Sequence, residues 1–137
     1  MASVQKRNTN YFMKQVPEFE QMLTHDGMHV IKLWLSITKD EQERRLKAVK
    51  NDPLASWKLS GLDKKALKLW DHYSRYKRKM IKKTSLPFSP WVNINADYAP
   101  AARVEAIKYV LSQVPYPKSD STKDLLTSDP KIITSLL

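Results

Sequence analysis

The first part of the chain shows the apolar spacing of a helix and then that of a strand. Four apolar residues recur every three or four positions and predict a helix that Gly27 ends: Phe12, Val16, Phe19 and Leu23. Pro17 fits the first turn of a second helical piece. The run from Met28 to Ile37 alternates β-branched and aromatic residues, which predicts a strand with both faces covered. Lys32 interrupts this run, so we expect its amine either to reach solvent or to serve a site.

A strongly polar helix is predicted after this strand. Thr38 and Glu41 have the capping-box spacing that opens a helix, and Asp52-Pro53 ends it. The large apolar residues between them are Leu46 and Val49. Such a helix buries little, and we expect it to be exposed and movable.

The next predicted helix, over residues 62–83, carries two stripes. Its apolar stripe is formed by Leu62, Ala66, Leu69, Tyr73, Tyr76 and Met80. A neighbouring basic stripe is formed by Lys64, Lys68, Arg75, Lys79 and Lys82. The spacing of the aromatic residues favours a buried seam over a platform for stacked bases.

The last part of the chain predicts one more strand and helix. Residues 91–95 have the pattern of a short strand. Asp97 is placed to cap the next helix, which has Pro100 in its first turn and a predicted buried face of Val104, Ile107, Leu111 and Val114. Residues 118–137 are rich in Ser, Thr, Asp and Lys and predict a mobile tail, with Ile132-Ile133 and Leu136-Leu137 apolar enough to dock.

The order helix, strand, helix, helix, strand, helix predicts an α/β fold with parallel strands in one domain, residues 1–117. Two strands do not make a stable parallel sheet, because each strand needs neighbours and a covering layer. We therefore expect an incomplete sheet that needs strands from elsewhere.

Composition narrows the class of protein. The chain has 137 residues, enough for one modest core, and its apolar fraction of 42% argues against wholesale disorder. It has no cysteine, which excludes disulfides and thiolate metal sites and fits a reducing compartment. No apolar run is long enough for a membrane span. We expect a cytoplasmic protein without a membrane partner.

The positive charge is concentrated in the middle of the chain. Lys and Arg number 24 against 14 acidic residues, and residues 39–83 hold fifteen of these cations against six acids. Such a stretch either attracts a polyanion, namely nucleic acid, an acidic membrane surface or a chain of phosphates, or is a solvated, solubilising face.

The elements of several catalytic sites are missing. The two glycines, Gly27 and Gly61, lie too far apart for a phosphate-cradling glycine-rich loop (Walker A). His25, His29 and His72 lack metal-ligand spacing. No Ser-His-Asp or Cys-His set is present.

Short motifs in a fixed order resemble the middle of the second family of polyphosphate kinases. They are Gln15–Glu20, Ile31–Ser36, Glu41–Arg45, Asp52–Leu54, Trp57–Ser60, Asp63, Trp70, Tyr73–Ser74, Met80, Pro90–Val92, Ala96–Asp97, Ala102–Arg103 and Pro115–Tyr116. The likeness runs almost without gaps from Tyr11 to Tyr116. Each motif is weak alone, but so many in order are a specific signal.

This resemblance implies the C-terminal part of a P-loop-kinase-like sheet and phosphoryl transfer between inorganic polyphosphate and nucleotides with Mg²⁺. It implies that residues 38–84 form a lid over the active site, and that the chain self-associates. The implied phosphate-binding residues are Arg44, Arg45, Lys47, Lys50 and Lys58, since guanidinium forks suit phosphate oxygens. Without the resemblance, Arg44 and Arg45 also fit a solvated pair on a charged helix.

The sequence departs from the family pattern in ways that bear on activity. The glycine-rich loop and the metal-binding Asp motif (Walker B) of the family precede the matched part and are absent. Val49 stands where a further lid arginine is usual, and Arg78-Lys79 replace an acidic pair.

Three hypotheses follow from the sequence. The chain is part of a polyphosphate-dependent nucleotide kinase that needs a separate N-terminal half, or a poorly folded remnant, or a non-catalytic module that binds polyphosphate or nucleic acid. The resemblance favours polyphosphate and nucleotide as partners over nucleic acid. Whether the chain is an enzyme by itself stays open.

Overall fold

The computed structural model describes the backbone of residues 2–117 and 119–137, and side chains from residue 9 onward except at positions 64, 118, 119 and 120. Lys64 of the predicted basic stripe therefore lies outside the described side chains, and Lys118 of the predicted tail lies outside the described residues. The elements are α1 (Ala2–His25), β1 (Lys32–Ser36), α2 (Lys39–Asn51), α3 (Asp63–Ala66), α4 (Trp70–Thr84), β2 (Trp91–Asn95), α5 (Ala99–Gln113), α6 (Ser119–Thr122) and β3 (Ile133–Ser135), with 3₁₀ turns at Ser56–Lys58 and Lys123–Leu126.

The predicted pair of parallel strands is present. β1 and β2 run parallel, with Lys32 opposite Trp91 and Ser36 opposite Asn95. The α2–α4 segment forms the crossover between them, as parallel pairing requires. The α/β fold class predicted from the element order is therefore confirmed.

A third strand comes from the segment predicted as a mobile tail. β3 pairs antiparallel with β2, so that β2 is central. The Asn95 amide donates to the Ile132 carbonyl at 2.8 Å, and the Leu136 amide donates to the Trp91 carbonyl at 2.9 Å. Ile132 and Ile133 pack against the core. The prediction of a mobile tail does not hold for these residues, because apolar burial and the free edge of β2 both draw them onto the sheet.

The small core lies between the sheet and α5. Ile94, Ala96 and Ala102 are buried together, and Leu33 and Ala106 pack against them. The face of α5 predicted to be buried is instead largely solvent-exposed at Val104, Ile107 and Leu111. That prediction was wrong because the alanines of α5 let its backbone approach the sheet closely.

Two helix boundaries also differ from the sequence prediction. α1 is one helix that continues through Pro17 instead of restarting there, and Gly27, at φ 86°, follows its end. The helix predicted over residues 62–83 is divided into α3 and α4.

The sheet is open on the β1 side. Among the described residues no strand pairs with β1 on the side away from β2, and Leu35 is 59% exposed. Large apolar side chains of α1 are exposed as well, including Phe12, Phe19 and Met22. This matches the expected incomplete sheet. No helix in the described part of the chain is long and apolar enough to cross a membrane.

Candidate functional site

The carboxyl ends of β1 and β2 meet at one edge of the sheet, the edge at which parallel α/β folds bind ligands. Thr38 follows β1 and Asp97 follows β2, each by two residues. The Thr38 amide donates to Asp97 Oδ1 at 2.7 Å, and the Thr38 hydroxyl lies 3.3 Å from the same oxygen. This contact, which we call the edge clamp, fixes the start of α2 against the end of β2.

The edge clamp corrects two predictions about caps. Asp97 was expected to cap α5, but the residue at the N-cap position of that helix is Tyr98, whose side chain makes no capping hydrogen bond. Thr38 does cap α2, since its Oγ1 accepts from the Glu41 amide at 3.3 Å. The second bond of a capping box, from the Thr38 amide to the Glu41 carboxylate, is replaced. Asp97 accepts a hydrogen bond from the Thr38 amide, and the Glu41 carboxylate binds two arginines instead.

Glu41 holds both predicted phosphate-binding arginines. Arg44 donates from Nε and Nη2 to the two carboxylate oxygens at 2.6 and 2.7 Å, and Arg45 Nε donates to Oε1 at 2.6 Å. Hydrogen bonds from Arg44 and then Arg45 lower the pKa of Glu41 from 4.5 to about 2. Because this pKa is depressed on folding, the stabilisation is present above pH 4.5 and is lost as the pH falls toward 2.

The two arginines differ in what else they contact. Arg45 Nη2 donates to the carbonyl oxygens of Ala96 and Asp97, at 2.6 and 3.2 Å, so Arg45 ties α2 to the sheet edge. The Arg44 side chain is 69% exposed, whereas that of Arg45 is 37% exposed. Arg44 is therefore the more accessible guanidinium, and Arg45 is the one engaged by the fold.

The three predicted lysines lie further along the same segment. Lys47 forms a 2.7 Å ion pair with Glu43 one turn before it. Lys50 is exposed in the last turn of α2. Lys58 lies in the 3₁₀ turn, with its Nζ 5.7 Å from the centroid of the Trp57 ring. The structure thus brings the arginine pair to the sheet edge and leaves these lysines on the solvated surface.

A buried ion pair explains the lysine that interrupts β1. Lys32 is 8% exposed, and its Nζ donates to Glu20 Oε2 at 2.6 Å, to the Thr84 carbonyl and to Ser89 Oγ. The amine does not reach solvent, because α1 supplies a carboxylate and the end of α4 a carbonyl, and its role in a site stays a prediction. A lysine inside an apolar run was the available signal, but nothing in the sequence identified Glu20 as its partner.

Replacing Asp97 with alanine is expected to loosen α2 from the sheet. The change removes an acceptor for two Thr38 donors and should lower the free energy of unfolding by about 1–2 kcal/mol. Urea denaturation measures the loss, and amide hydrogen exchange should quicken in the first turn of α2. Asp124→Ala, at an exposed position, is the control, and unchanged exchange in α2 would contradict the clamp.

Comparison with known proteins gives one consistent result. The family model described as Polyphosphate kinase 2 (PPK2) matches residues 1–122. The chain is 39% identical over 121 residues to a GDP-polyphosphate phosphotransferase of Mycobacterium tuberculosis, covering 88% of this chain and 41% of that protein. It is also 39% identical over 105 residues to an ADP-polyphosphate phosphotransferase of Pseudomonas aeruginosa, covering 77% of this chain and 34% of that protein.

Comparison with a solved structure agrees with the family that the sequence matches indicate. The crystal structure of Polyphosphate Kinase 2 from Arthrobacter aurescens TC1 superposes with a TM-score of 0.66 at 30% identity, covering 91% of this chain and 46% of that one. The chain thus spans less than half the length of the relatives that it matches. The family match over most of the chain shows that it belongs to the polyphosphate kinase 2 family.

Proposed function

We propose that this chain is the lid-bearing part of an enzyme that transfers a phosphoryl group between inorganic polyphosphate and a nucleoside di- or triphosphate. The observation that carries the proposal is the pair of arginines on Glu41 at the carboxyl edge of the sheet. The names of the relatives, which include GDP- and ADP-polyphosphate phosphotransferases, support the substrate class.

Arg44 is the proposed phosphate contact. A guanidinium has five N–H donors, and Glu41 takes two of those of Arg44. The remaining three can bind phosphate oxygens while Glu41 keeps the group oriented, so little side-chain entropy is lost on binding. Charge developing on the transferred phosphoryl group would be stabilised by this fixed cation.

Arg45 is proposed to position the lid, since its guanidinium also contacts two main-chain carbonyls at the end of β2. Within α2, whose residues are all described, none is buried. Movement of α2 over the substrates would therefore break few contacts beyond those of Arg45 and the edge clamp. Lys47, Lys50 and Lys58 are proposed as secondary contacts that strengthen binding of a long anion.

The chain needs a further segment for the rest of the site. A glycine-rich loop would hold the phosphates, and a bound Mg²⁺ would neutralise part of their charge. The described residues contain no group of three or more His, Cys, Asp or Glu side chains placed to hold a metal ion, so its ligands would come from that segment. The open edge of β1 is the proposed attachment point for it, and self-association of the chain is proposed on the same ground.

A second candidate function is a non-catalytic module that binds polyanions. It is favoured by the concentration of positive charge in residues 39–83. The two candidates differ in whether phosphoryl transfer appears when the missing segment is supplied.

A complementation assay tests the proposal. The purified chain is mixed with the portion of the M. tuberculosis relative that it does not match, polyphosphate, Mg²⁺ and ADP or GDP, and nucleoside triphosphate is measured. We expect turnover from the mixture and none from either part alone. No turnover from a mixture in which the chain is folded and binds polyphosphate would favour the binding module.

Arg44→Ala in the active mixture is expected to lower the turnover rate by about 10²- to 10³-fold, as for removal of other groups that stabilise transition-state charge. Lys123→Ala, at an exposed position outside the family motifs, is the control for loss of a surface cation and should leave the rate nearly unchanged. A rate for Arg44→Ala equal to that of the control would remove Arg44 from the site.

A further inference from the structure

A second cationic feature lies between α4 and the sheet. It is a cleft of about 540 Å³, which we call the α4 cleft, and its polar lining is Lys77, Arg78, Lys82, Ser85, Asn93 and Ser135. Ser135 pairs with Val92 near the start of β2, and the Thr84 carbonyl at the end of α4 meets Lys32 at the start of β1. The α4 cleft therefore lies toward the amino ends of the parallel strands, away from Arg44 and the edge clamp.

The cations of α4 are not neutralised within the fold. Between residues 72 and 84 the sequence has six cations and no acid: Arg75, Lys77, Arg78, Lys79, Lys82 and Lys83. In the described part of the chain none of the six forms an ion pair. Lys77 Nζ lies 5.5 Å from the centroid of the Trp34 ring, which holds its amine at the sheet without cancelling its charge.

Concave shape and unneutralised charge together favour an anionic ligand. A cleft with low-dielectric walls concentrates the potential of the cations that line it. Ser85 and Asn93 add neutral hydrogen-bond donors between α4 and β2. An anion in the α4 cleft would thus lie close to positive charges and to neutral groups that can donate hydrogen bonds to it.

We propose that the α4 cleft binds a linear chain of phosphates at a site separate from the arginine pair on α2. A chain fits better than a single phosphate because the cations that line the cleft extend from Lys77 to Lys82, about 7.5 Å along the helix axis. This proposal does not require the chain to catalyse a reaction, so it stands or falls separately from the proposed function.

The lining of the α4 cleft favours polyphosphate over nucleic acid. Single-stranded nucleic acids are held by aromatic side chains on which bases stack, as well as by cations. Among the described residues that line the cleft none is aromatic. The tyrosines of α4, Tyr73 and Tyr76, line a different groove together with Trp34 and Met13. The cations and hydrogen-bond donors of the cleft suit phosphate oxygens, and the rest of its lining is aliphatic: Ile81, Leu136 and Leu137.

Titration of the 137-residue chain with long-chain inorganic polyphosphate tests the proposal. Arg78→Gln/Lys82→Gln should weaken binding roughly tenfold or more, since two charge-assisted contacts are lost. The slope of log affinity against log salt should fall by about 1.4 if both cations contact phosphates. Lys123→Gln/Lys131→Gln removes two positive charges from exposed positions elsewhere and should stay within about twofold of the unmodified chain.

Three results would overturn the proposal. One is unchanged polyphosphate affinity in the α4 double variant, with circular dichroism showing that it is folded. Another is an equal loss in both double variants, which would mean a diffuse charge effect. The third is competition by a single-stranded DNA oligonucleotide as effective, per charge, as polyphosphate. Because no nucleotide or turnover is involved, failure of the phosphotransfer assay leaves this test unaffected.

Discussion

Lys32→Met is expected to lower the free energy of unfolding by about 3–5 kcal/mol, the cost of breaking a buried ion pair by removing one partner. The carboxylate of Glu20, itself only 9% exposed, would lose the amine that lies 2.6 Å away. Ser89 Oγ, which donates to Glu20 at 2.7 Å, would be the remaining described partner of that carboxylate. The Thr84 carbonyl at the end of α4 would also lose its bond to Lys32.

A double substitution distinguishes the cost of an unpaired buried charge from the cost of changing the side-chain shape. Glu20→Met/Lys32→Met removes both charges, and we expect it to recover most of the stability lost in Lys32→Met. Lys14→Met, at an exposed position on α1, is the control for loss of a surface cation. Urea denaturation of the four proteins measures the effect. A loss under about 1 kcal/mol for Lys32→Met would show that the pair is solvated and not part of the core.

Truncation after Pro130 is expected to destabilise the domain by roughly 3–6 kcal/mol. It removes β3, whose three paired residues and flanking bonds cover one edge of β2, and each such bond contributes about 0.5–1.5 kcal/mol. It also removes Ile132 and Ile133, which pack against the core, and so exposes part of the core to solvent. Loss of each half-buried side chain should cost roughly 1 kcal/mol or more of the free energy of unfolding. The open edge of β2 should in addition promote self-association.

Thermal denaturation and size-exclusion chromatography measure these two consequences of truncation. The control is Leu137→Ala, because Leu137 is 75% exposed and lies beyond β3. A truncated chain with an unchanged transition temperature would restore the interpretation of residues 118–137 as a mobile tail. An intermediate loss with no change in oligomeric state would mean that packing of the isoleucines matters more than coverage of the edge.

The pattern of apolar and polar residues along the chain predicted the elements whose formation depends mainly on neighbouring residues. β1 was found from its apolar run, which Lys32 interrupts, and β2 from a short run of aromatic and β-branched residues that alternates with Asn93 and Asn95. The polar composition of α2 predicted a helix that buries little, and the structure confirms this. The position of the arginines on α2 followed from the resemblance of Glu41–Arg45, and their role in binding phosphate stays a prediction.

The partners of polar side chains could not be predicted in the same way. Asp97 has the spacing of a helix cap, but its carboxylate instead binds Thr38, which is 59 positions away in sequence. Glu41 completes a capping box by pattern and binds Arg44 and Arg45 in the structure. In each case several donors compete for one carboxylate, and the outcome depends on distances that only the folded chain sets.

The sequence by itself determined the family, the order of the elements up to α5, and the concentration of positive charge between residues 39 and 83, because each is a property of consecutive residues. Tertiary structure alone decided which face of α5 meets the sheet, that β3 joins β2, and that Lys32 pairs with Glu20. It also separated the cations into an arginine pair at the carboxyl edge and a cleft beside α4. These features arise where segments that are distant in sequence come into contact. Their free energy depends on which side chains of one segment are buried against another, and the sequence of a single segment does not determine this.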